Sequence, residues 1–300
     1  MIIITAMIIC IFLAVNVNAA CWPPGAQIGG AFNLTDPGEA AGVSECIELP
    51  DNFTIRVDPK IGSLNLNTKS LKFGKDCTID LSGPNMKPNK APNGNNAVGQ
   101  PPWGEKGNPG GQGISGVRGK NGSRLQLTIE KVAPQGSLWI KTDGQPGGDG
   151  GDGGNGGLGG GSSCGKGEGG PHTNAGDGGD GGKGGDGGRG GDTAEIILNI
   201  SYYNKAPELV TPPSIPCGPS NKRPASASVS GGSIVVYGQP GCGGQGGSGG
   251  AGGPTDRSVP KRECGWTTKD VFPGADGAPG NPGSIGQPGT IGKIQINPKK

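Results

Sequence analysis

The chain has 300 residues, 67 of them glycine and 28 proline, with only 30% hydrophobic residues and a formal net charge of +2. That composition excludes a conventional apolar core of this length, and the near-neutral balance gives no general pull toward nucleic acid or membrane. Glycine recurs at a fixed three-residue period, which sets the chain apart from low-complexity disorder.

Residues 2–17 are apolar and end in Val17-Asn18-Ala19, so residues 1–19 read as a signal peptide cleaved after Ala19. The run is shorter than the roughly 20 residues of a membrane span. The mature chain is therefore expected to be secreted, extracellular and without a span. Seven cysteines remain: Cys21, Cys46, Cys77, Cys164, Cys217, Cys242 and Cys264. They contain no CxxC pair, which favours disulfides over zinc, and an odd number could link two chains. Sequons at Asn33, Asn52, Asn121 and Asn199 would permit glycosylation in a eukaryotic host.

Residues 20–82 have β character. Phe53-Thr54-Ile55-Arg56-Val57 and Ser63-Leu64-Asn65-Leu66 alternate apolar with polar, and Pro59, Gly62 and Gly74 punctuate the runs. A small β module is predicted here, followed by an irregular Pro/Asn/Gly-rich loop over 83–103. A glycine-rich region with a β cap then fills 104–297.

Five glycine tracts lie in that region, at 104–122, 144–160, 176–191, 238–253 and 274–292. A three-residue period matches the polyproline II helix, whose backbone groups point outward. Close backbone approach on a given face then needs glycine on that face. Tracts two to four carry two glycines per turn and suit inner positions. Tracts one and five carry one and suit the periphery. Alternating runs at 124–130 and 136–142 flank Pro134-Gln135 and predict a hairpin. The expected fold is mainly β and irregular. Five antiparallel rods would pack in a bundle, with strands at one pole and loops at the other, beside the N-terminal module.

Disulfide candidates follow from that layout. Cys164 with Cys264 would join two distal loops, and Cys217 with Cys242 would lie near the strand pole. Cys46 would pair with Cys77 or with Cys21 in the N-terminal module. Catalytic signatures are weak. The GGSSCGK run at 160–166 lacks the Ser/Thr of a P-loop, and Ser248 sits in G-x-S-x-G only because the tract is glycine-rich. With one histidine, His172, no triad is expected. No enzyme, cofactor or metal is predicted. Asp149, Asp152, Asp177, Asp180, Asp186 and Asp192 fall at three-residue intervals without the RTX-type period, so a solvated, charged face is expected. In a chain with 4% aromatics, Trp103, His172, Trp266 and Phe272 gather in the distal loops as candidate ligand-binding residues.

GADGAPGNPG at 274–283 and PGCGGQGG at 240–247 give the chain a resemblance to the glycine-rich polyglycine II bundle proteins. It is similar to the snow flea antifreeze type and to the tip adhesins of T-even-like phage tail fibres, and some tracts look collagen-like. The resemblance covers residues 104–292 and implies a rigid glycine-rich scaffold. It implies an exported, non-enzymatic structural or adhesive protein whose loops meet a cell-surface or matrix ligand, glycan or protein. Ice binding and a collagen-like matrix role are the alternatives.

Overall fold

The computed structural model describes residues 21–36, 43–164, 172–202, 208–209, 233–255, 262–263 and 270–298. The signal-peptide reading of residues 1–19 lies outside them.

Alternation places the strands. In β4 (Ser63–Phe73) and β6 (Arg124–Pro134) apolar side chains go inward at nearly every second residue, and polar ones face out. The same pattern runs through β3 (Thr54–Val57) and β8 (Ile196–Tyr202), while β1 (Ala31–Leu34) buries Leu34, and β5 (Cys77–Asp80) and β7 (Ser137–Lys141) each bury three residues in succession. Together with β2 (Val43–Leu49), β9 (Glu208–Leu209), β10 (Ser233–Tyr237) and β13 (Ile294–Pro298) they form two sheets. One has the order β1-β3-β5-β7-β10-β9 and the other β13-β8-β6-β4-β2. Every pairing in both is parallel. Strands β11 (Arg262–Glu263) and β12 (Asp270–Val271) pair antiparallel, in a small sheet of their own.

Consecutive strands up to β8 alternate between the two large sheets, so each circuit of the chain adds one strand to each. Like residues stack on like: Leu64, Leu125 and Ile196 share one rung, and Leu66, Leu127 and Leu198 another. The sheets enclose a single apolar cluster in which Leu64, Phe73, Leu125, Ile129, Leu138 and Ile140 are essentially inaccessible. Each such side chain contributes about 1.5–3 kcal/mol on burial.

This overturns the expected five antiparallel rods beside a separate N-terminal module. The described residues contain no helix, and the architecture is two parallel sheets running through residue 82 without a break. β4 pairs with β6 and β5 with β7. The predicted hairpin at Pro134-Gln135 is an arch between sheets, because β6 and β7 belong to different layers. Alternation gives the face of a strand but not its partner, and two strands around a turn look alike as hairpin or arch.

The glycine tracts continue the strands, and the described residues hold six such segments, not five. β5 runs into 83–103, β7 into 144–160 and β10 into 238–254. The segments 104–122, 176–192 and 274–292 run into β6, β8 and β13. Within a layer, amides bond at every third residue and the numbers rise together. Gly107, Gly110 and Gly113 donate to the carbonyls of Asp177, Asp180 and Lys183, each at 2.8 Å. Between layers the numbers run oppositely, as where Gly148, Gly151 and Gly154 donate to Val117, Ile114 and Gly111. Neighbours are thus parallel within a layer and antiparallel across it. The stretch 83–103 is no irregular loop: Ala91, Gly94 and Ala97 donate to Asp149, Asp152 and Asn155. Alanine does there what glycine does elsewhere, which hides the period.

The pairing glycines are not there for a left-handed backbone, since the positive-φ glycines are Gly25, Gly29, Gly62, Gly99 and Gly104. They are there because a Cβ has no room. One on Gly182 would fall on the Gly111 carbonyl oxygen, and one on Gly185 on that of Ile114.

Growth beyond six segments is blocked. By the register of β13 on β8, Pro279, Pro282, Ile285 and Pro288 take the places of Gly181, Gly184, Gly187 and Gly190. A Cβ at those glycines would meet the carbonyls of the next segment, Gly250, Gly247, Gly244 and Gly241. Ile285 is 66% exposed, standing where a seventh segment would run. The amides of Gly243, Gly246, Gly249 and Gly252 make no hydrogen bond among the described residues and face that same position. Side chains on an open edge guard it against pairing with another chain.

Three outcomes are expected. Gly182→Ala should destabilise by about 3 kcal/mol in denaturant unfolding, because backbone on the facing segment must move. The exposed Ser248→Ala should stay within about 0.5 kcal/mol. Replacing Pro279, Pro282, Ile285 and Pro288 together by glycine should yield concentration-dependent assemblies in light scattering.

Candidate functional site

The end of the molecule remote from the two large sheets carries Trp103 and Phe272. Trp103 stands at the turn between the first two segments, where Gly104 adopts φ 78° and its amide donates to the Gly161 carbonyl at 3.0 Å. Trp103 is 64% exposed and Phe272 51%. The run 172–175 connects them. Gly104 packs against Thr173. The Phe272 amide donates to Asn174 Oδ1 at 3.0 Å, and its carbonyl accepts from the Ala175 amide at 3.0 Å. Thr173 and Ser163 exchange backbone hydrogen bonds of 2.9 and 3.0 Å, which fixes His172 beside them. The run 172–175, which holds His172, thus touches Gly104, the neighbour of Trp103, and the backbone of Phe272. The fourth predicted residue, Trp266, lies outside the described residues.

The cysteine candidates fall at both ends of the molecule. Cys164, next to Ser163, is disulfide-bonded, while its candidate partner Cys264 lies outside the described residues. Cys217 does too, and Cys242 is half-buried on the fifth segment. At the other end Cys21 bridges Cys46 with Cα atoms 4.8 Å apart. Of the two N-terminal alternatives, Cys46 with Cys77 therefore does not form. Cys77 is a buried free thiol in β5 whose Sγ donates to the Pro50 carbonyl at 3.0 Å. Burial pushes its pKa up, leaving it protonated and unreactive.

The aspartate rows have a role that the sequence reading missed. On the outer surfaces, one amide per three residues has no backbone carbonyl opposite it. Aspartate Oδ1 supplies the acceptor: Asp149 and Asp152 take the amides of Gln245 and Ser248. Asp177, Asp180, Asp186 and Asp192 take those of Ala275, Ala278, Ser284 and Thr290. Asn155 and Asn174 do the same for Ala251 and Phe272. The mixture of Asp and Asn in one periodic row was the available signal, since a purely electrostatic face would not accept asparagine. Lysines add ion pairs from the next segment, Lys87 to Asp149, Lys90 to Asp152 and Lys106 to Asp180. Exposed pairs of this kind contribute little each.

These bonds hold five carboxyls below the usual carboxylate range. The Lys87 ammonium is the main cause for Asp149, Lys90 for Asp152, and Lys106 for Asp180. For Asp186 it is the Ser284 amide. At Asp192 burial opposes the shift, but Thr290, Arg189 and Arg118 together outweigh it. Asp143, at the junction with β7, goes the other way because burial dominates.

A depressed folded pKa gives stability that is present above the unfolded value of about 4 and lost as pH falls through the folded value. Asp143 has the opposite sign and is outnumbered. Thermal stability should be flat from neutrality to about pH 5 and fall below about pH 4. In hydrogen exchange, the amides of Gln245, Ser248 and Ala278 should lose protection before those of β6 and β8. Simultaneous loss throughout the chain would contradict this account.

Among the described residues no helix is long and apolar enough to cross a membrane, and no group of His, Cys, Asp and Glu could hold a metal ion. No family model matches the chain. Neither does any curated protein. Among solved structures, the nine polyproline type II helical bundle springtail antifreeze protein from Granisotoma rainieri is 21% identical over 63% of this chain and 92% of its own. The TM-score is 0.09, too low for the likeness to say anything of fold or function.

Proposed function

We propose that the chain is an exported, non-enzymatic adhesive or structural protein that presents recognition residues on a rigid glycine-rich scaffold. The observation that carries this is the placement of Trp103 and Phe272. Both are more than half exposed in a chain with few aromatics. Phe272 is bonded through its backbone to Asn174 and Ala175, and Trp103 precedes Gly104, whose amide bonds to the Gly161 carbonyl. Large aromatic side chains held in water on an ordered backbone are poised to be buried by a partner, and such residues dominate binding energies. The partner is a cell-surface or matrix ligand.

Ice binding would need a broad face of small uncharged side chains. Both broad faces of the glycine region instead carry charges, with Lys87 and Lys90 on one and Lys106, Arg118, Lys183 and Arg189 on the other. A polyproline II-like scaffold and secretion through residues 1–19 remain parts of this reading.

The test uses the full mature chain, labelled and applied to intact cells and to immobilised extracellular matrix. The double variant Trp103→Ala with Phe272→Ala should bind at least tenfold more weakly with an unchanged circular dichroism spectrum. Equal binding by the variant would sink the reading, and so would thermal hysteresis at micromolar wild-type protein.

A further inference from the structure

The outer face of the β13-β8-β6-β4-β2 sheet carries a second surface, far from the aromatic end. One row across four strands reads Asn67, Thr128, Asn199 and Asn297, in register. Its side chains form a relay: Asn297 Nδ2 donates to Asn199 Oδ1 at 2.8 Å, and Asn199 Nδ2 to Thr128 Oγ1 at 3.2 Å. Two residues away the next row reads Asn65, Gln126, Ile197 and Gln295. Gln295 Nε2 ties the rows together by donating to Asn297 Oδ1 at 3.0 Å.

No charge lies in either row, and the ion pairs stand on their flanks. Arg124 pairs with Glu195 at 3.3 Å on one flank, and Lys69 with Glu45 at 2.7 Å on the other. A ligand here is therefore selected by hydrogen bonding, not by charge. Each amide offers donors and acceptors together, repeated at the strand spacing of about 4.8 Å with rows about 6.6 Å apart. Asn65, Asn67 and Gln126 are exposed and make no side-chain hydrogen bond among the described residues. They are available, while Asn199 and Asn297 hold the array flat. Ile197, half-buried among the amides, supplies an apolar contact.

We propose that this face binds a neutral oligosaccharide lying across β4, β6, β8 and β13. Hydroxyls that both donate and accept, alternating with C–H edges, match amides set around an isoleucine. A protein partner would instead require a contiguous apolar centre, which the two rows lack. The rigid sheet limits the ordering cost of binding to the ligand.

The test is calorimetric titration of the full mature chain with cellohexaose, maltohexaose and chitohexaose, with heparin as the anionic comparison. At least one neutral hexasaccharide should bind saturably. Asn67→Ala with Gln126→Ala should weaken it at least tenfold, while Trp103→Ala with Phe272→Ala should leave it unchanged. Failure of all three hexasaccharides, binding of heparin alone, or equal binding by the Asn67/Gln126 variant would overturn the proposal. Loss of sugar binding in the Trp103/Phe272 variant would also overturn it, and would move the sugar to the aromatic end. A chain that adheres to cells through Trp103 and Phe272 yet binds no hexasaccharide would fail here without failing there.

Discussion

The structure depends on how closely two peptide backbones can approach when no Cβ stands between them. Across the glycine region, one row of each inner segment lies against the carbonyls of another, and a single added carbon at Gly150, Gly182 or Gly247 would land on a carbonyl oxygen. That contact is what lets amides at every third residue find partners near 2.8 Å. A net contribution of about 0.5–1.5 kcal/mol per hydrogen bond is offset by a backbone ordering cost of about 1–2 kcal/mol per residue. Glycine pays the most of that cost of any residue. The region therefore cannot be independent of the sandwich, whose apolar rungs fix where each segment starts or ends. Because the strands are in register, the segments enter in register too, and six hydrogen-bonded neighbours need no separate device to align them.

The aspartates complete this design at the surface. Where a segment has a neighbour on two sides only, its outward amides would otherwise be left to water, and Oδ1 of Asp or Asn in the adjacent segment takes them. The same side chain then meets a lysine from a third segment, as Asp149 meets both Gln245 and Lys87. One residue type thus ties three segments together. On the edge the logic is reversed. Proline has no amide to offer, and Ile285 fills the space that a glycine would leave open.

Much of this was legible in the sequence. The period of three, the alternating strands and the attachment of strands to tracts are local properties, and local steric rules decide them. Which strand lies beside which is not local. Arg124 to Pro134 alternates as cleanly in an arch as in a hairpin, so the two parallel sheets were hidden. The segment 83–103 escaped because Ala91 and Ala97 serve in place of glycine beside Gly94. At the aromatic end, the sequence could group Trp103, His172 and Phe272 by loop but could not show that residues 172–175 join them. The outer amide rows were invisible for a different reason. Asn67, Thr128, Asn199 and Asn297 are separated by 61, 71 and 98 positions along the chain and become neighbours only through strand register.

The two ends of the molecule divide the physical labour between them. The sandwich carries the hydrophobic stability, and its regular register carries a side-chain array along with it. The glycine region adds almost nothing to the buried apolar core, yet it holds Trp103 and Phe272 well away from that core on paired backbone. A helix or an ordinary loop could extend as far, but a helix would need an apolar stripe packed on something, and a loop would leave its backbone unpaired. Segments that bond to one another at every third residue need neither. They make a stiff extension out of backbone alone, which accounts for a chain so rich in glycine and so poor in hydrophobic residues.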